Sequence, residues 1–297
     1  MNDRREKLAE KESAAVFRRL ERDMLSRSME SRSPRAVVIG GQPGAGKSML
    51  LRVALESMAD PRQTAVILED DCRAAHPFSE EILASDEKRY ADKTDPDVKI
   101  WMQRLLVSAA ENRRDIVFEG NLRGGDLLVN LVNRLKERGY RVDALVMATG
   151  GEISRLGILE RYEEEREDAG YGLWTSLESH NKTYNNIPET VKALELKGSL
   201  DNFGICNRAG KVLYRNASRG GVYIKPLHNA DARAAVMKER GRPLSKEEQQ
   251  SIDEGRRRVL ERMKRRGAPP EDISRAMVML GNVHRLRKEL EAMESDA

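Results

Sequence analysis

Residues Ala36-Val37-Val38-Ile39-Gly40-Gly41-Gln42-Pro43-Gly44-Ala45-Gly46-Lys47-Ser48 decide how this chain folds. The apolar run at their head predicts a buried strand over 36–40. From Gly41 to Ser48 every position satisfies G-x-x-x-x-G-K-[ST], and a helix is predicted over 47–59. Gly41, Gly44 and Gly46 allow the backbone to turn its N–H groups inward around phosphate oxygens. The following helix adds the positive end of its dipole. Gln42, Pro43 and Ala45 complete the loop, Lys47 has the reach for β- and γ-phosphates, and the Ser48 hydroxyl is a candidate Mg²⁺ ligand. A strand before and a helix after the motif give it the context it requires, so it implies a bound nucleoside triphosphate, ATP or GTP.

Outward from the loop, strands and helices alternate. Strands are predicted at 36–40, 64–70, 115–119 and 142–148, and helices at 47–59, 97–113, 127–138 and 152–168. Asp126 is placed to cap the third of these helices and Gly139 to end it. A further helix is predicted over 175–197, then a late strand or hairpin at 203–206 and 211–215 around Asn207-Arg208-Ala209-Gly210. This is the pattern of an α/β fold, a mostly parallel sheet with helices on both faces. Ligands of such sheets sit at the C-terminal strand ends. Three segments follow: an N-terminal helix within 1–33, a phosphate-loop domain over 34–220, and a helical, charged C-terminal extension over 221–297. The extension has breaks near Gly241-Arg242-Pro243 and Gly267-Ala268-Pro269-Pro270.

Composition narrows the class of protein. The 297 residues are 34% charged and 4% aromatic, with a formal net charge of +4. That mild basicity suits small anionic ligands. The basic runs Arg256-Arg257-Arg258 and Lys264-Arg265-Arg266 are interleaved with acids and have no aromatic residues among them, so nucleic acid is not the expected partner. Cys72 and Cys206 stand far apart with no C-x-x-C pattern, which argues against a zinc site or a disulfide framework. No apolar stretch approaches the ~20 residues of a membrane span. The N-terminus, Met-Asn-Asp-Arg-Arg, leads into charged sequence, so the expectation is a soluble cytoplasmic protein.

Candidate chemistry lies past the strand ends. The second strand ends Ile67-Leu68-Glu69-Asp70-Asp71, where a carboxylate would face the phosphates and accept a proton from a substrate hydroxyl or hold a Mg²⁺-bound water. Because strand side chains alternate faces, Asp70 and Asp71 should not address the same atom unless the strand ends between them. A helix cap or solvated turn is the plainer role for such acids. Past the third strand, Glu119, Asn121 and Arg123 offer an acceptor, an amide and a bidentate cation, a set suited to a sugar or nucleoside diphosphate; a polar loop explains them equally well. The helix from Glu152 carries Arg155, Arg161 and Arg166 among many acids. A lid arginine there would stabilise transferring phosphate, but spacing alone favours a solvated helix with i,i+4 pairs.

Taken together, Gly41–Ser48, Asp70-Asp71-Cys72-Arg73-Ala74-Ala75-His76-Pro77, Glu119-Gly120-Asn121-Leu122-Arg123 and Glu160-Arg161-Tyr162-Glu163 resemble the zeta toxin family of bacterial toxin–antitoxin kinases, over roughly residues 35 to 217. The resemblance implies an ATP- and Mg²⁺-dependent kinase that phosphorylates the sugar 3′-hydroxyl of UDP-N-acetylglucosamine or a related UDP-sugar. It places the base on Asp70, with Asp71 one position off, and substrate contacts on Glu119, Asn121 and Arg123. Gln103 stands where the family has a glutamate, and Asn121 where it has a threonine. The first lid arginine maps onto Arg161. The second position falls on Leu173 and Trp174, which leaves Arg166 as the replacement. An antitoxin protein is an implied partner, and cis-inhibition by residues 1–32 is the sharper alternative to a helix simply packed through Val16, Leu20 and Met24. A kinase of another hydroxyl acceptor (a dinucleotide, nucleoside or antibiotic) and a non-catalytic ATP-dependent regulator use the same loop and remain the rival readings.

Overall fold

The computed structural model describes residues 7–120, 122, 124–219, 222–224 and 231–281. The first helix, α1 (Glu10–Arg27), is followed by β1 (Arg35–Gly40), α2 (Lys47–Glu56), β2 (Ala65–Ile67), α3 (Glu69–Ala74), α4 (Ser79–Asp86), α5 (Tyr90–Glu111) and β3 (Ile116–Glu119). Then come α6 (Gly125–Glu137), β4 (Arg141–Met147), α7 (Gly151–Ala169), α8 (Leu177–Lys197), β5 (Asn202–Cys206), β6 (Val212–Arg219) and β7 (Val222–Ile224). The chain continues through α9 (Ala232–Gly241), α10 (Lys246–Arg265) and α11 (Pro270–Leu280).

The seven strands form one sheet in the order β2-β3-β1-β4-β5-β6-β7. The first five run parallel and the last two antiparallel. Alternate residues of β1 serve opposite faces. Ala36 and Val38 join the main core with α5, α6, α8 and α9, whereas Val37 and Ile39 pack with Leu50 and Ala54 of α2. Burial on both faces is why these strands read as continuous apolar runs. β1 is central, and the phosphate loop leaves its C-terminal end beside β3, the strand after which the chain crosses to the other half of the sheet, the place where such sheets bind ligands.

Three elements depart from the sequence prediction. The second strand stops at Ile67, and Glu69–Ala74 is helical rather than extended. The helix is held by Arg73, whose guanidinium bonds Glu69 in the same helix and Asp95 (2.6 Å), Thr94 and the Ala91 carbonyl of α5. Its first turn collects Glu69, Asp70 and Asp71, where the helix dipole favours acids. α5 begins at Tyr90, seven residues earlier than predicted, and runs through Pro96. Asp126 lies in the first turn of α6 and not at its N-cap, which is Gly124; Gly139, at φ +78°, follows the helix end as predicted.

α1 is seated on the main core. Val16 and Phe17 are buried there, with Leu20 and Met24 packed beside them. Trp101 of α5 donates its indole N–H to the Ser13 carbonyl, and the helix contacts run to α5 and β2. The C-terminal extension is also built into the molecule. Ala232, Ala235 and Val236 of α9 belong to the main core, and α10 and α11 form a further apolar cluster with α7. The acidic face of α7 pairs with α10 through Arg258–Glu160, Arg262–Glu164, Arg265–Glu167 and Arg266–Glu163. Arginines that composition alone would offer to a phosphate backbone are therefore engaged within the protein. Among the described residues, no helix is long and apolar enough to cross a membrane.

Candidate functional site

The loop between β1 and α2 is shaped by two left-handed glycines, Gly44 at φ +71° and Gly46 at φ +96°. A Cβ on Gly44 would stand 1.9 Å from the Ser154 carbonyl of α7, so only glycine fits there. Gly46 is the N-cap of α2 and supplies no side-chain cap; the Met49 N–H bonds the Gly46 carbonyl (3.1 Å), and the amides ahead of it, at Lys47 and Ser48, are those an anion would meet. Gly41 is packed closely between Met147 and the Lys47 stem, and Ala45 is fully buried. Lys47 Nζ lies 3.2 Å from Glu119 Oε1 and 3.4 Å from the Gln42 carbonyl, poised across the loop. Ser48 is exposed on the first turn of α2.

Gln42, expected as a ligand contact, turns its side chain away from the loop's open face. Its amide is buried and donates to the Thr149 carbonyl (2.8 Å) and Ser154 Oγ (3.2 Å), while its oxygen accepts from Arg240 (3.2 Å) of α9. Ser154 Oγ is in turn 2.8 Å from His180 Nε2, and His180 Nδ1 is 2.9 Å from Asn181 Oδ1. Burial, followed by the Asn181 bond acting in the opposite sense and by the cations Arg155 and Arg240, holds His180 below its usual range. A neutral ring that donates from Nδ1 to Asn181 accepts at Nε2 from Ser154, so the relay behind the loop is satisfied. Arg240 stacks on Tyr184, and burial pushes its guanidinium down to about 10, still charged at neutral pH. None of this support is visible in the loop motif itself.

On the other side of the loop, α3 presents Asp70 and Asp71. On a helix neighbours point about 100° apart, so the two acids still serve different directions, by a different geometry from the strand first expected. Asp70 Oδ2 lies 3.6 Å from Arg161 Nη1 of α7. Asp71 is raised above the ordinary carboxylate range by burial, then by the charges of Asp70 and Glu119, so these three carboxylates share one field. Glu69 is raised by burial against the lowering effect of Arg73. Cys72 beside them is buried and its thiol is pushed up to about 12, which leaves no thiolate for chemistry at neutral pH. Arg73 and the buried His76 fix this helix: His76 Nδ1 accepts from the Phe78 N–H and the ring packs on Trp101.

The lid region differs from its sequence reading. Arg161 faces Asp70 and lies 3.8 Å from Glu165, and among the described residues its Nε has no hydrogen-bond partner. Arg166 is committed elsewhere: it pairs with Glu87, which also accepts from Tyr162 Oη (2.5 Å) and the Gly172 N–H (3.0 Å). With its charge neutralised in that cluster, Arg166 is not free to act as the second lid arginine in this state. Trp174 fills the space beside it, edge-on to Tyr162 at 5.1 Å. Gln103 is exposed on α5, whose buried face is formed by Val98, Trp101, Met102 and Leu105, and among the described residues no hydrogen bond joins it to Glu119. Asn121 and Arg123 lie outside the described residues.

The loop, an acid-bearing helix after the second strand, Glu119 against Lys47, and an arginine on α7 form one crevice, and the comparisons with known proteins cover all of it. The Zeta toxin family model matches residues 21–219. Toxin zeta of Enterococcus hirae is 27% identical over 184 residues, covering 61% of this chain; the match spans 63% of that relative's length. A solved structure from the PezAT chromosomal toxin–antitoxin system of Streptococcus pneumoniae superposes with a TM-score of 0.71 at 22% identity, covering 87% of this chain and 98% of that one, and so shares the fold. A calmodulin calcium-dependent NAD kinase of Arabidopsis thaliana is 28% identical over 153 residues, which is 46% of this chain and 27% of that protein. With two thirds of its length matched, and every element of the crevice inside the match, this chain belongs to the Zeta toxin family.

Proposed function

We propose that this protein is an ATP- and Mg²⁺-dependent kinase that transfers the γ-phosphate to a sugar hydroxyl of UDP-N-acetylglucosamine or a related UDP-sugar, and that it acts in the cytoplasm as the toxin of a toxin–antitoxin pair. The observation that carries the reading is the meeting of Asp70 with Arg161 beside a phosphate loop whose lysine faces Glu119. Loop amides and Lys47 bind and orient the triphosphate. Asp70 takes the proton of the acceptor hydroxyl, and Arg161 stands over the charge that develops on the transferring group. In the free protein Asp70 and Arg161 hold each other at 3.6 Å, with Asp70 exposed and Arg161 half-buried, so that pair is weak and easily exchanged for substrate contacts. The exposed Ser48 hydroxyl on the first turn of α2 fits the preference of Mg²⁺ for hard oxygen donors. When bound, the ion neutralises charge on the phosphates.

The acceptor rests on family membership and on Glu119. A dinucleotide acceptor is the second reading, supported by the match to a plant NAD kinase. The partner is proposed to be a separate antitoxin protein. The described part of residues 1–32 is occupied with α5 and β2, which does not favour cis-inhibition. The deciding experiment is mass spectrometry of the purified protein with Mg-ATP and a panel of UDP-sugars, dinucleotides and nucleosides. One added phosphate on UDP-N-acetylglucosamine, abolished in Asp70→Asn while ATP binding survives, is the expected result. Phosphate on another panel member reassigns the acceptor, and bound ATP with no phosphorylated product refutes the kinase reading.

A further inference from the structure

The turn between β5 and β6 places Arg208 at the mouth of the phosphate loop. Its Nη1 donates to the Gly44 carbonyl at 2.8 Å, and its Cγ lies 3.5 Å from where a Cβ on Gly46 would stand. Three elements meet at this point because α7 has a glycine there. A Cβ on Gly157 would come within 2.7 Å of the Gly44 carbonyl and 3.0 Å of Arg208 Nη1. Gly157 and Arg161 are one helical turn apart on one face of α7, so Arg208 and Arg161 flank the loop in succession along that face.

The charge balance at Arg208 is unlike that of its neighbours. Arg166 is spent on Glu87, and Arg161 faces Asp70 and Glu165. Among the described residues no carboxylate lies within ion-pair distance of Arg208, and the group is exposed. A guanidinium carries five N–H donors, of which the Gly44 carbonyl occupies one. The turn beneath it is also fixed. Asn207 Oδ1 accepts from the N–H groups of Ala209 (3.1 Å) and Lys211 (3.0 Å), and Asn207 Nδ2 donates to Glu239 of α9 at 3.2 Å. An uncompensated cation presented by a turn fixed at Asn207, beside a helix N-terminus without a side-chain cap, builds a local positive potential suited to an anion.

We propose that Arg208 is a nucleotide-binding residue whose guanidinium contacts the phosphate chain of the triphosphate held by residues 41–48, an inference that rests on reading that loop as a nucleoside-triphosphate site. It supplies, from the β5–β6 turn, a second cation at a position where α7 and the segment after it offer Trp174 and a committed Arg166. The contact is to phosphate rather than to base or ribose, because Arg208 is docked on the loop backbone itself.

Calorimetric titration of the full chain with ATP and with inorganic tripolyphosphate tests this in wild type, Arg208→Met and Arg208→Lys. Losing a charge-assisted hydrogen bond is expected to weaken both ligands about ten- to hundredfold in Arg208→Met. Arg208→Lys, which keeps the charge and loses the fork, should fall between. Unchanged ATP affinity in both variants overturns the proposal and leaves the loop assignment standing. Weakened ATP with unchanged tripolyphosphate also overturns it, since the guanidinium then reads the base or ribose. If wild type binds neither ligand, the loop assignment fails and the inference falls with it. The side chain is exposed, so the free variants should melt with wild type; if Arg208→Met does not fold, Arg208→Lys decides alone.

Discussion

Replacing Glu163 by alanine should unlatch α10 from α7. The carboxylate is 1% exposed and takes two bonds from Arg266, Nε to Oε2 at 2.8 Å and Nη2 to Oε1 at 2.9 Å. Removing one partner of a fully buried pair costs about 3–5 kcal/mol, mostly because the other charge is stranded. Two features of this site lower that figure. The Arg266 side chain is 20% exposed, and Asp272 Oδ2 remains 3.7 Å from its Nη2. The expected loss is therefore about 2–3 kcal/mol. Glu163→Gln keeps the shape and one acceptor, and should lose about half as much. Glu167→Ala is the control: its carboxylate also meets two arginines, Arg262 and Arg265, but is 42% exposed, so at most about 1 kcal/mol is at stake.

The two tryptophans allow the loss to be located as well as measured. Trp101 lies in the main core, whereas Trp174 packs on the cluster formed by α7, α10 and α11. Urea unfolding followed by the fluorescence of each tryptophan alone, with the other changed to Phe, reports the two regions separately. In Glu163→Ala the Trp174 transition should move to lower urea by more than the Trp101 transition. A shift no larger than that of Glu167→Ala, or one confined to Trp101, would refute the claim that this buried pair holds α7 to the extension.

Three further outcomes follow from the same contacts. Gly44→Ala adds a Cβ 1.9 Å from the Ser154 carbonyl at a left-handed φ, whereas Gly46→Ala meets nothing closer than 3.5 Å. Thermal denaturation should show about 2–5 kcal/mol lost in the first, from strain and overpacking together, and about 1–2 in the second, from strain alone; the reverse order would contradict the packing of α7 on the loop. For His180 the folded-state pKa lies below the ordinary 6.5, so the unfolded chain takes up the proton more readily. Its contribution is intact above that value and is lost as pH falls through it; His180→Asn should reduce the acid-side slope just below neutrality, where His76, shifted in the same direction, contributes a slope of the same sign, while Asp95, lowered, adds its own at more acid pH. Glu119→Gln should free Lys47 from its present partner 3.2 Å away and tighten ATP binding while slowing turnover, as read from KM and kcat separately; weaker ATP binding would show that Glu119 positions the lysine instead.

How much of this was legible in the sequence depended on whether the governing contact was local. The phosphate loop and the parallel strands were readable because their signals are complete within a dozen residues: a glycine pattern, and apolar runs buried on both faces. The helix after Ile67 was not, because Arg73 is anchored by Thr94 and Asp95, about twenty residues away along the chain. Arg166 came into question as the second lid cation only through the family resemblance, and its partner Glu87 precedes it by 79 residues. Arg208 stood in what reads as a plain hairpin turn, and only its bond to Gly44 connects it to the loop. The arginines of the extension give the clearest case. Arg258, Arg262 and Arg265 pair with Glu160, Glu164 and Glu167 at a constant offset of 98 residues, the mark of two helices running parallel in register. No i,i+4 rule within either helix reveals that offset, since both helices also carry acids and bases at local spacing. The result divides α7 into two working faces. Gly157 and Arg161 look toward the phosphate loop and Asp70, while Glu160, Glu163, Glu164 and Glu167 look toward α10. The extension therefore packs on the same helix that carries Arg161, so the seat of that arginine is built in part by residues about a hundred positions further along the chain.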